Sequence, residues 1–155
     1  MIAAVSSDLG IGKDGKLLFH IKEDMAWFRS HTLHNVVVMG RKTLESFPGG
    51  RPLPERTHIV LSHKQHENTE NVIWVTSVEE AIVEMEKLPG DVYVTGGEQV
   101  YREFLSLASK LYLTEVAQKC DADAYFPDFL SDSEWEKMEE DKHDGFAFVT
   151  YERNR

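Results

Sequence analysis

The sequence predicts one α/β domain built on a mostly parallel, twisted sheet covered by helices on both faces, and three observations predict it. Short apolar runs rich in β-branched residues alternate with helix-period segments along most of the chain. Two of those runs end in glycine and pass directly into a helical pattern, V-V-V-M-G-R-K-T at residues 36–43 and V-Y-V-T-G-G-E-Q-V-Y at residues 92–101. Such strand-to-helix passages are how parallel strands are connected. The length, 155 residues, suits a single domain and is enough to bury a real core.

In chain order, strands are expected at residues 2–5, 36–39, 57–61, 72–75, 92–95, 111–116 and 146–151. Each is short, apolar and bounded by turn residues. Helical patterns fall between them at residues 23–32, 42–46, 78–85 and 99–108. In the first, Ile21, Met25 and Phe28 recur at the four-then-three spacing of one helix face. Glycine and proline mark loops at residues 10–15, 48–54 and 89–90. No comparable helical pattern separates residues 111–116 from residues 146–151, so these two strands are expected to pair antiparallel at one edge of the sheet. The acidic stretch at residues 134–144 reads as a solvated surface segment anchored by Trp135.

Composition narrows the function. Seventeen basic against 27 acidic residues leave a net charge of -10, which argues against nucleic acid or an anionic membrane as partner. No apolar run approaches membrane-spanning length, and the first residues lack signal-peptide character, so a cytosolic protein is expected. A single cysteine, Cys120, provides no disulfide framework. His31 and His34 are three apart, but no H-E-x-x-H occurs and His58, His63 and His66 have no cysteine at zinc spacing, so no metal site is expected. Neither a G-x-S-x-G elbow nor a cysteine nucleophile is present to indicate covalent catalysis.

Asp24 is the most informative residue, because it puts a carboxylate on the apolar stripe of the first helix. A carboxylate taken from water needs a proton, a donor or a cation. It can serve a ligand, be an early-helix acid helped by the macrodipole, or be a core acid bonded to backbone. At the two strand ends, Gly40 and the Gly96-Gly97 pair allow backbone to approach an anion, and free N–H groups of a helix start suit phosphate. Arg41 and Lys42 add charge and Thr43 a hydroxyl, and Arg41 suits the monoester phosphate that separates NADPH from NADH. Glycine after a strand also serves simply to turn the chain. Arg56 follows the proline-stiffened R-P-L-P-E-R and is either a bidentate carboxylate clamp or an exposed surface arginine. The literal G-x-G-x-x-G at residues 10–15 is not read as a dinucleotide fingerprint, because Lys13-Asp14-Gly15-Lys16 is a tight turn and no helix start follows. It reads as a flexible loop beside the site, with glycine hinges suited to a lid.

These motifs, in this order, strongly resemble dihydrofolate reductases: D-x-x-W-F from Asp24, V-V-M-G-R-K-T from Val37, R-P-L-P-x-R from Arg51, G-G-x-x-V-Y from Gly96, L-Y-L-T from Leu111 and Y-F-P-D-F from Tyr125. The similarity covers nearly the whole chain. It implies a central eight-stranded, mostly parallel sheet with four main helices and an antiparallel C-terminal edge strand. It further implies NADPH as cofactor, a monomer, a place in one-carbon metabolism and affinity for antifolates. By that resemblance Asp24 pairs with the 2-amino group and N3 of the pterin, assisted by Thr114. Ile2, Ala3, Met25, Phe28, Phe47 and Leu53 form the pocket wall, the carbonyls of Ile2 and Thr95 face the pterin edge, and Arg56 clamps the glutamate α-carboxylate. For NADPH, Ala4, Ile11, Gly12, Leu17 and Thr95 match positions on the nicotinamide side, and Gly40, Arg41, Lys42 and Thr43 the first phosphate helix. Leu61, Ser62 and His63 fall near the adenosine 2′-phosphate, and Gly96, Gly97, Glu98, Gln99, Val100 and Tyr101 form the second helix start, with a cis Gly-Gly bond in the family. Asp123 resembles the acid that braces the lid.

The implied chemistry is hydride transfer from NADPH to C6 of dihydrofolate with protonation of N5, Asp24 orienting the ring while water admitted by the lid supplies the proton. The chain departs from the family in three places. Leu18-Phe19 replaces the usual Pro-Trp, so Phe19 lacks the indole N–H that holds a water near the pterin. Thr95 stands where an aliphatic residue is usual, and residues 47–51 run about two residues longer. Two other readings stay open: the related NADPH-dependent pyrimidine reductase of riboflavin synthesis, and a non-catalytic folate or dinucleotide binder prompted by Phe19.

Overall fold

Alternating burial along four short strands builds the centre of the molecule. The computed structural model describes residues 1–154. In one ladder β6 (Val72–Val75), β5 (Thr57–Leu61), β4 (Val36–Gly40) and β7 (Val92–Val94) lie in that order, parallel throughout. Val36, Val38, Ile59 and Val94 face one apolar cluster, while Val37, Met39, Val60 and Tyr93 face the other. Both faces are therefore covered, as parallel sheets require.

A second ladder runs β1 (Ile2–Val5), β8 (Lys110–Val116), β11 (Phe146–Arg153) and β10 (Trp135–His143). β1 and β8 are parallel, and the other two pairings are antiparallel. A three-stranded sheet, β3 (Lys16–Leu17), β2 (Gly10–Lys13) and β9 (Ala124–Tyr125), stands beside them. The α/β class and the antiparallel pairing of the last two expected strands agree with the sequence reading.

Three expectations are corrected. The acidic stretch is not a free surface segment: residues 135–143 form β10, a nine-residue strand with a bulge between Lys137 and Glu139. Its Glu, Lys and Asp content is poor strand material, and the ladder onto β11 imposes the strand. Consequently the edge strand is β10, and β11 lies inside the sheet. An edge made of charged residues resists pairing with other chains. Eleven strands form among the described residues, eight of them in two separate four-stranded ladders, where one eight-stranded sheet was expected. The loop at residues 10–15 is mostly a hairpin, in which Asp14 (φ 52°) and Gly15 (φ 76°) make the expected tight turn.

Four helices complete the fold: α1 (Lys22–Thr32), α2 (Arg41–Glu45), α3 (Val78–Glu86) and α4 (Glu98–Phe104), the last continued by a 3-10 turn at Leu105–Leu107. α1 has no side-chain cap and is held by aromatic packing. Trp27 stacks on Phe148 with centroids 4.4 Å apart, and His31 packs on Tyr112 at 4.4 Å. Here Met25 departs from the expected stripe. It is 64% exposed, and the half-buried face runs through Asp24, Trp27, Phe28 and His31. The four-then-three pattern was real, but the neighbouring aromatic sets the rotation of the helix because it buries the larger area.

Candidate active site

Register brings the first group together. Thr114 on β8 is paired with Ala4 of β1 on one side and with Phe148 of β11 on the other. α1 crosses this row with Trp27 on Phe148 and, three residues earlier, Asp24 on Thr114. The fully buried Thr114 hydroxyl donates to Asp24 Oδ1 at 2.5 Å. Burial raises the Asp24 pKa above its usual value, and the Thr114 hydrogen bond partly offsets this by favouring the anion. Asp24 is thus a half-buried carboxylate in the first turn of a helix, with one donor inside the protein and capacity for more.

Tyr101, which the sequence grouped with the cofactor, reaches the same place. Its buried hydroxyl donates to the Ile2 carbonyl at 2.7 Å, and burial together with the Asp24 charge raises its pKa. The Ile2 carbonyl therefore already carries one hydrogen bond. Ala3 and Ala4 are half-buried beside it, and Ile11, on β2 of the hairpin, is buried in the core cluster.

The two strand ends also meet. Thr95 N–H donates to the Val38 carbonyl at 2.8 Å, its Oγ1 to the same oxygen at 3.3 Å, and Gly40 N–H to the Gly96 carbonyl at 2.9 Å. The Gly96-Gly97 bond is cis. Gly96 has φ 117°, and a Cβ there would lie 3.3 Å from the Tyr101 ring. A Cβ on Gly97 would lie 3.7 Å from Thr43 Oγ1, so the starts of α2 and α4 are neighbours. Neither start carries a side-chain cap, which leaves their N–H groups to bind something else. Val100 is buried behind them, Lys42 is exposed, and Arg41 Nη1 pairs with Glu45 at 2.8 Å. Glu98 accepts from Arg102 at 3.0 Å and from Tyr125 N–H at 3.2 Å, and Gln99 bonds Glu103 at 3.0 Å. Because Gly40 is in register with Leu61, the turn at Ser62 and the exposed His63 follow next to α2. There Ser62 Oγ lies 3.2 Å from His66 Nε2.

Arg56 resolves one of the two readings left open. It is only 7% exposed, its Nε has no hydrogen-bond partner, and burial followed by the Arg29 charge lowers its pKa. The Glu55 charge acts against that lowering, and a guanidinium with unused donors has the chemistry to receive an anion. Phe28 and Phe47 pack on the apolar cluster of the same face, and Leu53 is half-buried with its N–H on His58 Nε2 at 3.0 Å. The hairpin carries Gly12 and a 69% exposed Leu17. It is tied to the body where Asp123 Oδ2 accepts Asp14 N–H at 3.0 Å and Asp123 N–H donates to the Gly12 carbonyl at 3.0 Å. Phe19, just past the hairpin, is half-buried and presents no side-chain donor. Among the described residues, no group of three metal-binding side chains converges.

Sequence reasoning missed Arg29, His58 and the hydroxyl of Tyr101. Only His58 left a trace: a polar residue in an inward position of an apolar strand.

A sequence profile described as dihydrofolate reductase matches residues 1–153. The chain is 42% identical to the dihydrofolate reductase of Haemophilus influenzae over 88% of its length and 82% of that protein. With dihydrofolate reductase HdrB of Haloferax volcanii it shares 39% identity over 100% of its length and 83% of that protein. Its backbone superposes on Enterococcus faecalis dihydrofolate reductase complexed with NADP(H) and RAB-propyl at TM-score 0.87, with 34% identity, covering 99% of this chain and 95% of that one. The chain belongs to the dihydrofolate reductase family.

Proposed function

We propose that this protein reduces 7,8-dihydrofolate to 5,6,7,8-tetrahydrofolate with NADPH, with Asp24 as the group that grips the pterin. The observation that carries this reading is the half-buried Asp24 carboxylate, held by Thr114 at 2.5 Å one strand from Ala4. A carboxylate accepts two parallel N–H bonds, matching an amino-pyrimidine edge, and an anion of raised pKa gains most from a ligand that is itself protonated. Thr114 keeps one Asp24 oxygen oriented. Ile2, Ala3, Phe28, Phe47 and Leu53 supply apolar wall, with Met25 at its open rim. Arg56, aided by Arg29, takes the tail carboxylate.

The residues present fit a nicotinamide dinucleotide. Gly40 and Gly97 keep the two uncapped helix starts close, where an added Cβ would crowd Val100 at 3.3 Å or meet Thr43 at 3.7 Å. Gly40, Lys42, Thr43 and the residues from Gly96 to Tyr101 would hold the pyrophosphate. Arg41, Leu61, Ser62 and His63 would hold the 2′-phosphate end, and Ala4, Ile11, Gly12, Leu17 and Thr95 the nicotinamide side. When bound, NADPH supplies the hydride. Asp24 orients the ring, the apolar wall excludes bulk water, and the hairpin braced by Asp123 admits the water that protonates N5. Phe19 leaves that water without an indole donor. In this reading the protein works as a cytoplasmic monomer and binds antifolates. Among the described residues, no helix is long and apolar enough to cross a membrane.

The test is nicotinamide absorbance followed with dihydrofolate, with the pyrimidine precursor of riboflavin, and with each omitted. Oxidation that requires dihydrofolate supports the reading. Oxidation with the riboflavin precursor alone, or binding of both ligands without absorbance loss, would overturn it.

A further inference from the structure

His58 is fully buried on β5, and no step described so far uses it. Its two ring nitrogens are both engaged with main chain. Nε2 accepts from Leu53 N–H at 3.0 Å, and Nδ1 lies 3.2 Å from the Asn71 carbonyl. Since a backbone N–H can only donate, Nε2 must be bare, and the proton sits on Nδ1, donated to Asn71. Only the neutral Nδ1–H form satisfies both bonds. Burial lowers the pKa of the ring, the Asn71 and Arg56 main-chain carbonyls partly offset this, and the Arg56 charge adds to the lowering. The ring also touches the Arg56 main chain, and Phe47 packs 6.5 Å away at a steep angle.

His58 thus lies beneath the segment that carries Leu53 and Arg56, and it anchors that segment to the start of β6 through Asn71. We propose that His58 is a positioning residue for the tail half of the substrate, holding the Leu53 wall and the Arg56 cation in place through its bond to Leu53 N–H. This rests on the reading of the site as a dihydrofolate reductase. The pterin end, organised by Asp24 and Thr114 on α1 and β8, has no bond to His58. Loss of the imidazole should therefore separate tail from ring.

The experiment compares wild type, His58→Leu and His58→Asn on two substrates with NADPH: dihydrofolate, and a 7,8-dihydropterin without the p-aminobenzoylglutamate tail. In His58→Leu, KM for dihydrofolate should rise about tenfold, the usual effect of stranding one partly buried N–H. Its kcat on dihydrofolate and both constants for the tail-less substrate should stay within about twofold of wild type. His58→Asn, whose amide can accept and donate, should recover most of the loss. Equal losses on both substrates, or no loss on either, would overturn the proposal. Wild type inactive on both would instead defeat the functional reading. If His58→Leu does not fold, imidazole nitrogen shifts and amide exchange of the wild type decide: the Nδ1–H tautomer with a protected Leu53 amide supports the role, and the Nε2–H tautomer or a freely exchanging Leu53 amide refutes it.

Discussion

Replacing Arg56 with Met should make the free protein more stable and the substrate weaker, two effects of opposite sign from one side chain. Methionine retains an unbranched apolar stem at this buried position, while the charge and its donors are lost. In the free protein Arg56 is only 7% exposed, its Nε is buried without a hydrogen-bond partner, and burial and the Arg29 charge lower its pKa against the opposing Glu55 charge. An unsatisfied buried polar group costs about 1–3 kcal/mol. For a chain of this size 1 kcal/mol moves the melting temperature by about 2–4 °C, so Arg56→Met should melt roughly 2–12 °C higher. A buried charge pair lost from one side costs about 2–5 kcal/mol of binding, so affinity for dihydrofolate should fall at least about 30-fold. A dihydropterin with no glutamate should be turned over as before. Thermal melts of the free protein, paired with steady-state kinetics on both substrates, read the two effects separately. A lower melting temperature, or equal losses for the two substrates, would refute the assignment of Arg56 as a cation held ready for a carboxylate.

Asp24→Asn should retain NADPH binding but greatly slow reduction at neutral pH; full activity at every pH would remove Asp24 from the site. Because burial raises the Asp24 pKa above 3.8, its favourable contribution is complete below that value and is lost as pH rises through the folded pKa. The Asn variant should therefore melt higher than wild type at pH 7, the gap closing in acid, and melts across pH would show it. Arg41→Ala should lower the preference for NADPH over NADH by about tenfold, the worth of one charged hydrogen bond, with an unchanged ratio of kcat/KM values counting against a phosphate role. If Phe19 lines the pterin site as proposed, Phe19→Trp supplies the indole donor it lacks and should raise kcat severalfold; no change would show that the missing N–H does not limit turnover.

Local pattern made much of the fold legible. Strands at Ile2–Val5, Thr57–Leu61 and Val72–Val75 lie where their apolar, β-branched runs were read, because burial on both faces demands that composition. β10 escaped detection because its strand state comes from hydrogen bonds donated and accepted by β11, and its own residues argue for solvent. Met25 shows the same limit on a helix. Periodicity gave the spacing of the face, and the stacking of Trp27 on Phe148 decided its rotation.

By itself the sequence determined the α/β class, the family, and the presence of one acid, one arginine and two glycine-ended strands whose chemistry suits a pterin, a carboxylate and phosphates. Those follow from residue type and local spacing, which the chain carries in any conformation. Only the tertiary structure decided that Asp24 meets Thr114, 90 positions away, that Tyr101 closes on Ile2, 99 positions away, and that Arg56 is buried with its Nε lacking a hydrogen bond. Burial and partnership depend on which segments are packed together, and it is burial that turns an ordinary carboxylate or guanidinium into one waiting for a ligand.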